Sequence, residues 1–225
     1  MLFKHILRRF SCLVTISIAA FSIRTEIIAQ GIPAERHIQL EALNKYAPVE
    51  ITAVVDHSVK YPNPLGVHQA ITLTDKDDSW LANISLAILN QSIKHISAIE
   101  IQFDVPAWQS SPLEPKKIIF VCIGKLPSNA PRYSLEGQPE SESQAPLDIK
   151  PGGEFMLPLA SVFPLLRDYH LRTTPIGSVD NIWVRIRRVF FDDETMWVTN
   201  SYLKPDKSHP GVYARITREE FESKQ

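Results

Sequence analysis

Alternation of apolar and polar residues dominates the chain between residues 50 and 202. The clearest case is SAIEIQFDV (97–105), where aliphatic or aromatic residues alternate with Glu100, Gln102 and Asp104. Such alternation places apolar side chains on one face of a strand and polar side chains on the other. We therefore predict a strand here with one buried face and one solvated face.

Other segments show the same period or a short β-branched apolar run. They predict strands at 50–56, 67–74, 80–89, 116–124, 181–191 and 196–202, and a turn followed by a strand at 147–160. The uninterrupted run at 116–124 predicts a strand that is covered on both faces. SVFPLLRDYHLR (161–172) has helical spacing with Ser161 as its N-cap, which predicts one short crossover helix. Seven or more short strands and one helix predict a mostly β fold, an antiparallel β-sandwich.

Composition sets the expected boundaries of this domain. The mixed segment 30–48 predicts an N-terminal lead-in with a short helix, 49–204 the β-sandwich domain, and 205–225 a C-terminal tail. Within the domain, 126–146 is rich in Pro, Ser and Glu and has few residues that could be buried. It predicts a long mobile loop, which is either a tolerated insertion or a binding loop.

The first 29 residues have the layout of an export signal. Lys4, Arg8 and Arg9 precede fourteen residues without a charge, and this apolar run is shorter than the roughly 20 residues of a membrane span. Cleavage after Ala29 or near 20–22 would give a secreted or periplasmic protein without a membrane span. An uncleaved N-terminal anchor is the alternative.

Charge and cysteine content narrow the classes of partner and site. Residues 1–29 hold four of the 24 basic and one of the 25 acidic residues, so 20 basic and 24 acidic residues remain, a net charge of −4. Nucleic-acid binding would need a basic excess, so we expect no nucleic-acid partner. Cys12 lies in the leader, which leaves Cys122 alone and unable to form an internal disulfide. Its apolar run, IIFVCIG, predicts a buried and inert thiol.

Motifs for cofactors, metals or nucleophilic catalysis are absent from the sequence. The histidines outside the leader are too scattered for the pairing that zinc needs: His37, His57, His68, His95, His170 and His209. DKDD (75–78) predicts a solvated turn rather than a calcium loop. NQS (90–92) and NIS (83–85) match a glycosylation pattern, and for NQS a turn is the better interpretation. We predict no cofactor and no metal.

The segment VRIRRVFFDDETMW (184–197) has the densest set of candidate functional residues. Strand parity places Ile182, Val184 and Ile186 on one side and Trp183, Arg185 and Arg187 on the other, and it puts Arg188 on the apolar side. An unpaired charge there would be costly, so we predict that the strand either bulges or leaves the core near 187–189, followed by a hairpin whose turn is DDET. One alternative makes Trp183, Arg185 and Arg187 a binding face for an anion, provided that neither arginine is held in an internal ion pair. Another makes Asp192, Asp193 and Glu194 catalytic acids.

Two segments, about fifty residues together, resemble known exported proteins. ANISLAILNQSIKHISAIEIQFDV (82–105) resembles the strand, N-x-S-x-K-x-I turn and strand of exported bacterial immunoglobulin-like domains of the FxLYD type, although IQFDVP lacks the Leu-Tyr-Asp motif. FFDDETMWVTNSYLKPDKSHPGVY (190–213) is similar to the closing hairpin of small secreted proteins from soil bacteria, with Glu194 in place of the glycine of Asp-Gly-Thr-x-Trp. The resemblance implies an immunoglobulin-like sandwich and export. The cysteine pair and core tryptophan of antibody domains are missing.

These observations lead to one expectation and two rivals. We expect an exported, non-enzymatic module that binds or scaffolds at the cell envelope, with an envelope protein or surface ligand as partner. The rivals are a carboxylate-dependent hydrolase using acids such as Asp192 and Glu194, and an anion-binding module using Arg185 and Arg187.

Overall fold

Two β-sheets packed face to face make up the part of the chain that the structure describes. The computed structural model describes residues 35–43, 46–63, 69–73, 79–105, 117–128, 130, 147–161, 164 and 179–223. Their strands are β1 Arg36–Leu40, β2 Val49–Asp56, β3 Val59–Pro62, β4 Gln69–Leu73, β5 Ile84–Asn90, β6 Ile96–Val105, β7 Lys117–Gly124, β8 Glu154–Pro158, β9 Asn181–Phe191, β10 Met196–Val198, β11 Ser201–Pro205 and β12 Tyr213–Ile216. The predicted fold class, a mostly β antiparallel sandwich, is confirmed.

The larger sheet is organised around β9. Along one edge β9 pairs with β6, and β7 lies beyond β6. Two strands share the opposite edge of β9. β1 pairs in parallel with 181–184 and is followed by β4, whereas β10 pairs antiparallel with 188–190 and is followed by β11 and β12. The smaller sheet has the order β3-β2-β5-β8 and is antiparallel throughout.

The core fills the space between the two sheets. Ile101, Phe103 and Val184 of the larger sheet share one buried cluster with Val54 and Leu86 of the smaller sheet. β-branched and aromatic residues fit such a pleated, buried surface, which explains why these segments form strands. In the described residues, no helix is long and apolar enough to cross a membrane.

The predicted bulge in β9 is present, and it explains the position of Arg188. Glu100 lies opposite Arg188 while the next residue of β6, Ile101, lies opposite Ile186, so Arg187 is the extra residue. A bulge of this kind shifts the alternation of the strand by one position. It brings the Arg188 side chain to the outer face of the sheet, where its Nε donates to Glu100 Oε1 at 2.9 Å and its Nη2 contacts Glu100 Oε2.

Several predicted strands differ from the observed ones. Trp80–Asn83 forms a 3₁₀ turn before β5, so the strand begins at Ile84, four residues later than the predicted start at residue 80. The predicted strand at 196–202 is two strands, because a tight turn at Thr199 and Asn200 separates β10 from β11. The predicted solvated face of β6 is wrong, because Gln102 is 6% and Asp104 1% exposed.

On β7 the strand is confirmed, but its covering on both faces is wrong at one position, because Ile118 is exposed. The predicted turn at NQS is confirmed: Asn90 is fully buried, and its Oδ1 accepts hydrogen bonds from the backbone N–H of Ser92 at 2.9 Å and from the Ser92 hydroxyl at 2.7 Å. The buried side chain of Asn90 is thus used within the turn and has no room for a glycan.

The sandwich extends beyond the expected limits of 49–204 at both ends. Residues 36–40, expected to lie in a lead-in with a short helix, form β1 instead. Residues 205–225, expected to be a tail, contain β12 and the helix α1 (Arg218–Glu222). The export signal, the DKDD turn, most of the loop at 126–146 and most of the helix at 161–172 lie outside the described residues.

Candidate ligand-binding groove

An aromatic row across the three outermost strands forms the floor of a groove. β10, β11 and β12 continue the larger sheet past the end of β9, and Trp197 pairs with Tyr202, which pairs with Ile216. These side chains point to the same side as the core between the sheets. They are at most 9% exposed, so the floor is a fixed, apolar surface.

The turn between β10 and β11 closes one end of the groove. Thr199 (φ 33°) and Asn200 (φ 69°) both have positive φ, which is the requirement of a two-residue type I′ hairpin turn. Residues other than glycine rarely adopt this conformation, and β-branched residues do so least readily. Asn200 of this turn and Ser201, the first residue of β11, are among the residues that line the groove.

The C-terminal helix α1 forms one wall. Thr217 and Glu220 make a capping box, in which the Thr217 hydroxyl accepts from the N–H of Glu220 at 3.1 Å and Glu220 accepts from the N–H of Thr217 at 3.0 Å. Phe221 anchors the helix to the sandwich. Its ring lies 4.4 Å from that of Tyr202 and 4.8 Å from that of Phe191, and it is 2% exposed.

Lys94 secures this anchor from a different part of the chain. Its ammonium group lies 4.2 Å from the centroid of the Phe221 ring and 2.5 Å from Asp193 Oδ2. Asp193 Oδ1 accepts further hydrogen bonds from the N–H and the hydroxyl of Thr195. These bonds lower the pKa of Asp193 against the opposing effect of its burial, which is the largest contribution. The DDET turn thus holds Lys94 in place over the helix.

Tyr46 lines the groove beside α1. The Tyr202 hydroxyl donates to the carbonyl of Tyr46 at 2.8 Å, and partial burial raises the pKa of Tyr202. The guanidinium of Arg218 lies 5.2 Å from the centroid of the Tyr46 ring, which is 50% exposed. Tyr46 thus contacts both the floor, through Tyr202, and α1, through Arg218.

The resulting groove is open to solvent and has a volume of about 740 Å³. Small-molecule sites typically measure about 300–1,000 Å³. The residues that line it include charges of both signs: Arg215 and Arg218 are basic, and Glu219 and Glu220 are acidic. Hydrogen bonds from the backbone and from Thr217 lower the pKa of Glu219, so this carboxylate is ionised at neutral pH.

The residues predicted for an anion-binding face lie elsewhere, on the outer face of β9. Trp183, Arg185 and Arg187 do share one side of the strand, and Arg185 lies 5.6 Å from the Trp183 ring. However, Arg185 Nη2 forms an ion pair with Asp104 Oδ2 at 3.1 Å, and Nη1 lies 3.6 Å from Glu41. Because Asp104 is buried, Arg185 is held in an internal ion pair, and the hypothesis that needed both arginines free is wrong.

The acids proposed for catalysis do not converge. Asp193 is held by Lys94 and Thr195, Asp192 is exposed at the turn, and Glu194 (φ 64°) occupies the position where the similar hairpins have glycine. None of the three lines the groove. In the described residues, no group of three His, Cys, Asp or Glu side chains could hold a metal ion. Cys122 is half-buried rather than buried as predicted, and partial burial with the nearby Glu100 carboxylate raises its pKa to about 12.

Sequence reasoning did not find the groove, although one local signal was present. TREE (217–220) fits the S/T-x-x-E capping box that marks a helix start, followed by the apolar Phe221. The other groove residues come from separate parts of the chain, and only the strand pairing brings them together.

Comparisons with known proteins add no further information about this site. No family model, no curated protein and no solved structure matches the chain. The geometry of the molecule is therefore the basis of the functional argument.

Proposed function

We propose that the protein is an exported, non-enzymatic binding module of the cell envelope, and that the groove between α1 and Tyr46 is its binding site. The observation that carries the proposal is the preformed groove itself. It has a largely aromatic floor, polar and charged residues among those that line it, and a volume suited to a small ligand.

The contacts of the groove support binding rather than chemistry. Glu220 accepts a hydrogen bond from the N–H of Thr217 and lies 3.8 Å from Lys204, so its carboxylate has a structural role. Glu219 precedes it on the same short helix, and the two cannot flank a substrate as a glycosidase pair does. A rigid floor also reduces the ordering cost of binding.

The export and family assignments are part of the same proposal. A basic start followed by a short apolar run supports export, and a cleavage after Ala29 would leave β1, which begins at Arg36, intact. The two-sheet antiparallel sandwich supports an immunoglobulin-like, FxLYD-like family. Fusion of residues 1–35 to a periplasmic reporter enzyme in a bacterial host should give reporter activity, and N-terminal sequencing of the secreted protein should locate the cleavage.

The binding site can be tested by NMR with a library of small polar and aromatic fragments. We expect fragments to shift the backbone amide signals of 197–202 and 215–220 and the indole signal of Trp197. Trp183, on the outer face of β9, supplies the internal control and should not shift. Hits confined to other surfaces would refute the assignment of the site, and turnover of chromogenic ester, phosphate or glycoside substrates would refute the non-enzymatic role.

A further inference from the structure

β7 is an edge strand of the larger sheet, and it lacks the features that normally protect such an edge. Among the strands that the structure describes, β7 pairs only with β6. Short length, charged side chains and proline keep most sheet edges from pairing with another chain. β7 has eight residues, KIIFVCIG, with no proline and with one charge, Lys117, at its first position. This edge is therefore long, apolar and unprotected.

The other edge strands in the described part of the chain are shorter, and most of them are protected. β3, β4, β8 and β12 have four or five residues each. β3 contains Lys60 and ends at Pro62. β8 begins at Glu154 and ends at Pro158, and β12 contains Arg215. The contrast identifies β7 as the edge at which another strand can be added.

The backbone of β7 presents hydrogen-bonding groups to this edge at every second residue. In an antiparallel pair, alternate residues bond to the neighbouring strand and the residues between them point away from it. On β9, the carbonyl of Val184 accepts from the N–H of Glu41 at 3.1 Å, so Val184 faces β1. Its partner on β6, Phe103, therefore faces β7 and bonds with Ile119. The N–H and C=O groups that point away from β6 are those of Ile118, Phe120 and Cys122.

The side chains of β7 are apolar on both faces of the sheet. Ile119 and Val121 are buried in the core between the two sheets. Ile118, Phe120 and Cys122 alternate with them and lie on the outer face, where Ile118 is 41% exposed. A strand that pairs with β7 needs apolar side chains on both faces to continue these two surfaces. β7 itself is such a strand.

We propose that β7 pairs antiparallel with β7 of a second copy of this chain, across a two-fold axis at Phe120. Ile118 then lies opposite Cys122 of the second copy. All three residues that point away from β6 are used, in three pairs that exchange two hydrogen bonds each. The larger sheets of the two copies join into one continuous sheet, and the same surface is used on both copies, as in an isologous dimer.

The charges near β7 favour this register over its neighbour. With the axis at Phe120, Lys117 lies opposite Ile123 of the second copy. With the axis at Val121, Lys117 would lie opposite Lys125 of the second copy, and like charges directly opposite each other destabilise a strand pair. No like charges of β7 meet in the proposed register.

Sedimentation velocity of the purified protein in a concentration series tests the dimer. One pair of strands buries less surface than a standard interface, so we expect a reversible equilibrium between monomer and dimer with a dissociation constant in the micromolar range. Phe120→Lys places two lysines opposite each other on the axis and should raise the dissociation constant at least about tenfold. Phe120→Glu should do the same, and an equal mixture of the two variants should restore the dimer because opposite charges then meet. Met156→Lys, at a 43% exposed position on the edge strand β8, is the matched control and should leave the dimer unchanged.

A cysteine pair tests the register without any change at Phe120. Ile118→Cys places a thiol opposite Cys122 of the second copy, at a Cα separation of about 5.5 Å, which a disulfide can span. Mild oxidation should therefore give a covalent dimer on a non-reducing gel. In the wild type the two Cys122 residues lie four residues apart along the paired strands, about 13 Å, so no covalent dimer should form. Met156→Cys is the matched control and should give none.

Three results would overturn the proposal. The first is a wild-type protein that sediments as a monomer at every concentration up to the millimolar range. The second is a dimer that both Phe120→Lys and Phe120→Glu leave intact, because another surface would then hold the copies together. The third is oxidation that gives no covalent dimer with Ile118→Cys, or gives as much with Met156→Cys.

Discussion

Replacing Phe221 by alanine should detach α1 and remove one wall of the groove. The Phe221 ring is 2% exposed and contacts the rings of Tyr202 and Phe191 and the ammonium group of Lys94. Truncation of a buried phenylalanine to alanine typically costs about 3–5 kcal/mol in a protein core. Because α1 lies near the end of the chain and can move away without leaving a sealed cavity, we expect a loss of about 3 kcal/mol, at the lower end of this range.

The assay is urea unfolding followed by far-UV circular dichroism. The midpoint should fall in Phe221→Ala, and the dependence of the free energy on urea concentration should stay nearly constant, because most of the sandwich still unfolds in one step. Glu222→Gln is the matched control on the same helix. It removes only the exposed pair with Arg218, which should contribute at most about 0.5 kcal/mol.

This reasoning would be refuted if Phe221→Ala lost less than about 1 kcal/mol. Such a result would mean that α1 does not dock on Tyr202 and Phe191 in solution, and the groove would then lack its wall. A second measurement reports directly on whether α1 is docked. The rate of amide hydrogen exchange at 217–222 should rise in Phe221→Ala and stay unchanged in Glu222→Gln.

Further predictions follow from the turns, the buried ions and the thiol. Glu194→Gly should stabilise the protein by up to about 1 kcal/mol in thermal or urea unfolding, because φ is 64° at this position; a destabilisation would contradict the strained turn. Arg188→Ala should cost about 3–5 kcal/mol by leaving the Glu100 carboxylate unpaired, whereas replacing both by hydrophobic residues should cost far less, as a double-mutant cycle can measure. The lowered pKa of Asp193 contributes stability above its unfolded pKa of about 3.9, and this is lost as pH falls through the folded value, so the melting temperature of Asp193→Asn should vary less below pH 5 than that of the wild type. Cys122, with a pKa of about 12, should react with a disulfide reagent at pH 8 about a thousandfold more slowly than a free cysteine, and complete labelling within minutes would contradict the raised pKa.

The alternation of apolar and polar residues predicted a strand well where one face of that strand packs against the core. The alternation at 97–105 identified β6, and the parity of 181–191 located the bulge that releases Arg188 from the core side. Both inferences use only the period of a strand and the cost of an unpaired buried charge.

Features that depend on distant partners were not predictable from the pattern. Polar residues of β6 are buried because Arg188 and Arg185, more than eighty residues later in the chain, pair with Glu100 and Asp104. Without those partners a polar residue on a strand indicates a solvated face. The pairing of β1 with β9 is equally non-local. In β1, Arg36 is buried at a position where a sequence pattern predicts an apolar side chain, so the pattern did not indicate a strand there.

The turns explain two other differences. β10 and β11 appeared as one strand because their turn is formed by Thr199 and Asn200, without the glycine that usually marks a type I′ turn. The segment after residue 205 was predicted to be a tail because it is rich in lysine, proline and aspartate. Its four-residue strand and five-residue helix are too short to give a clear apolar period. The groove is formed by this turn, this strand and this helix together. It could therefore not be predicted without the pairing of β10, β11 and β12.

The central claim is that the groove beside α1 is where this protein binds its ligand. The most direct measurement is the pair of indole NMR signals of Trp197 and Trp183 during titration with a small-molecule fraction of cell-envelope material. The proposed site predicts a saturable shift of the Trp197 signal, with the Trp183 signal unchanged, and a loss of that shift in Phe221→Ala. A saturable shift of Trp183 alone would place the ligand on the outer face of β9 and contradict the claim.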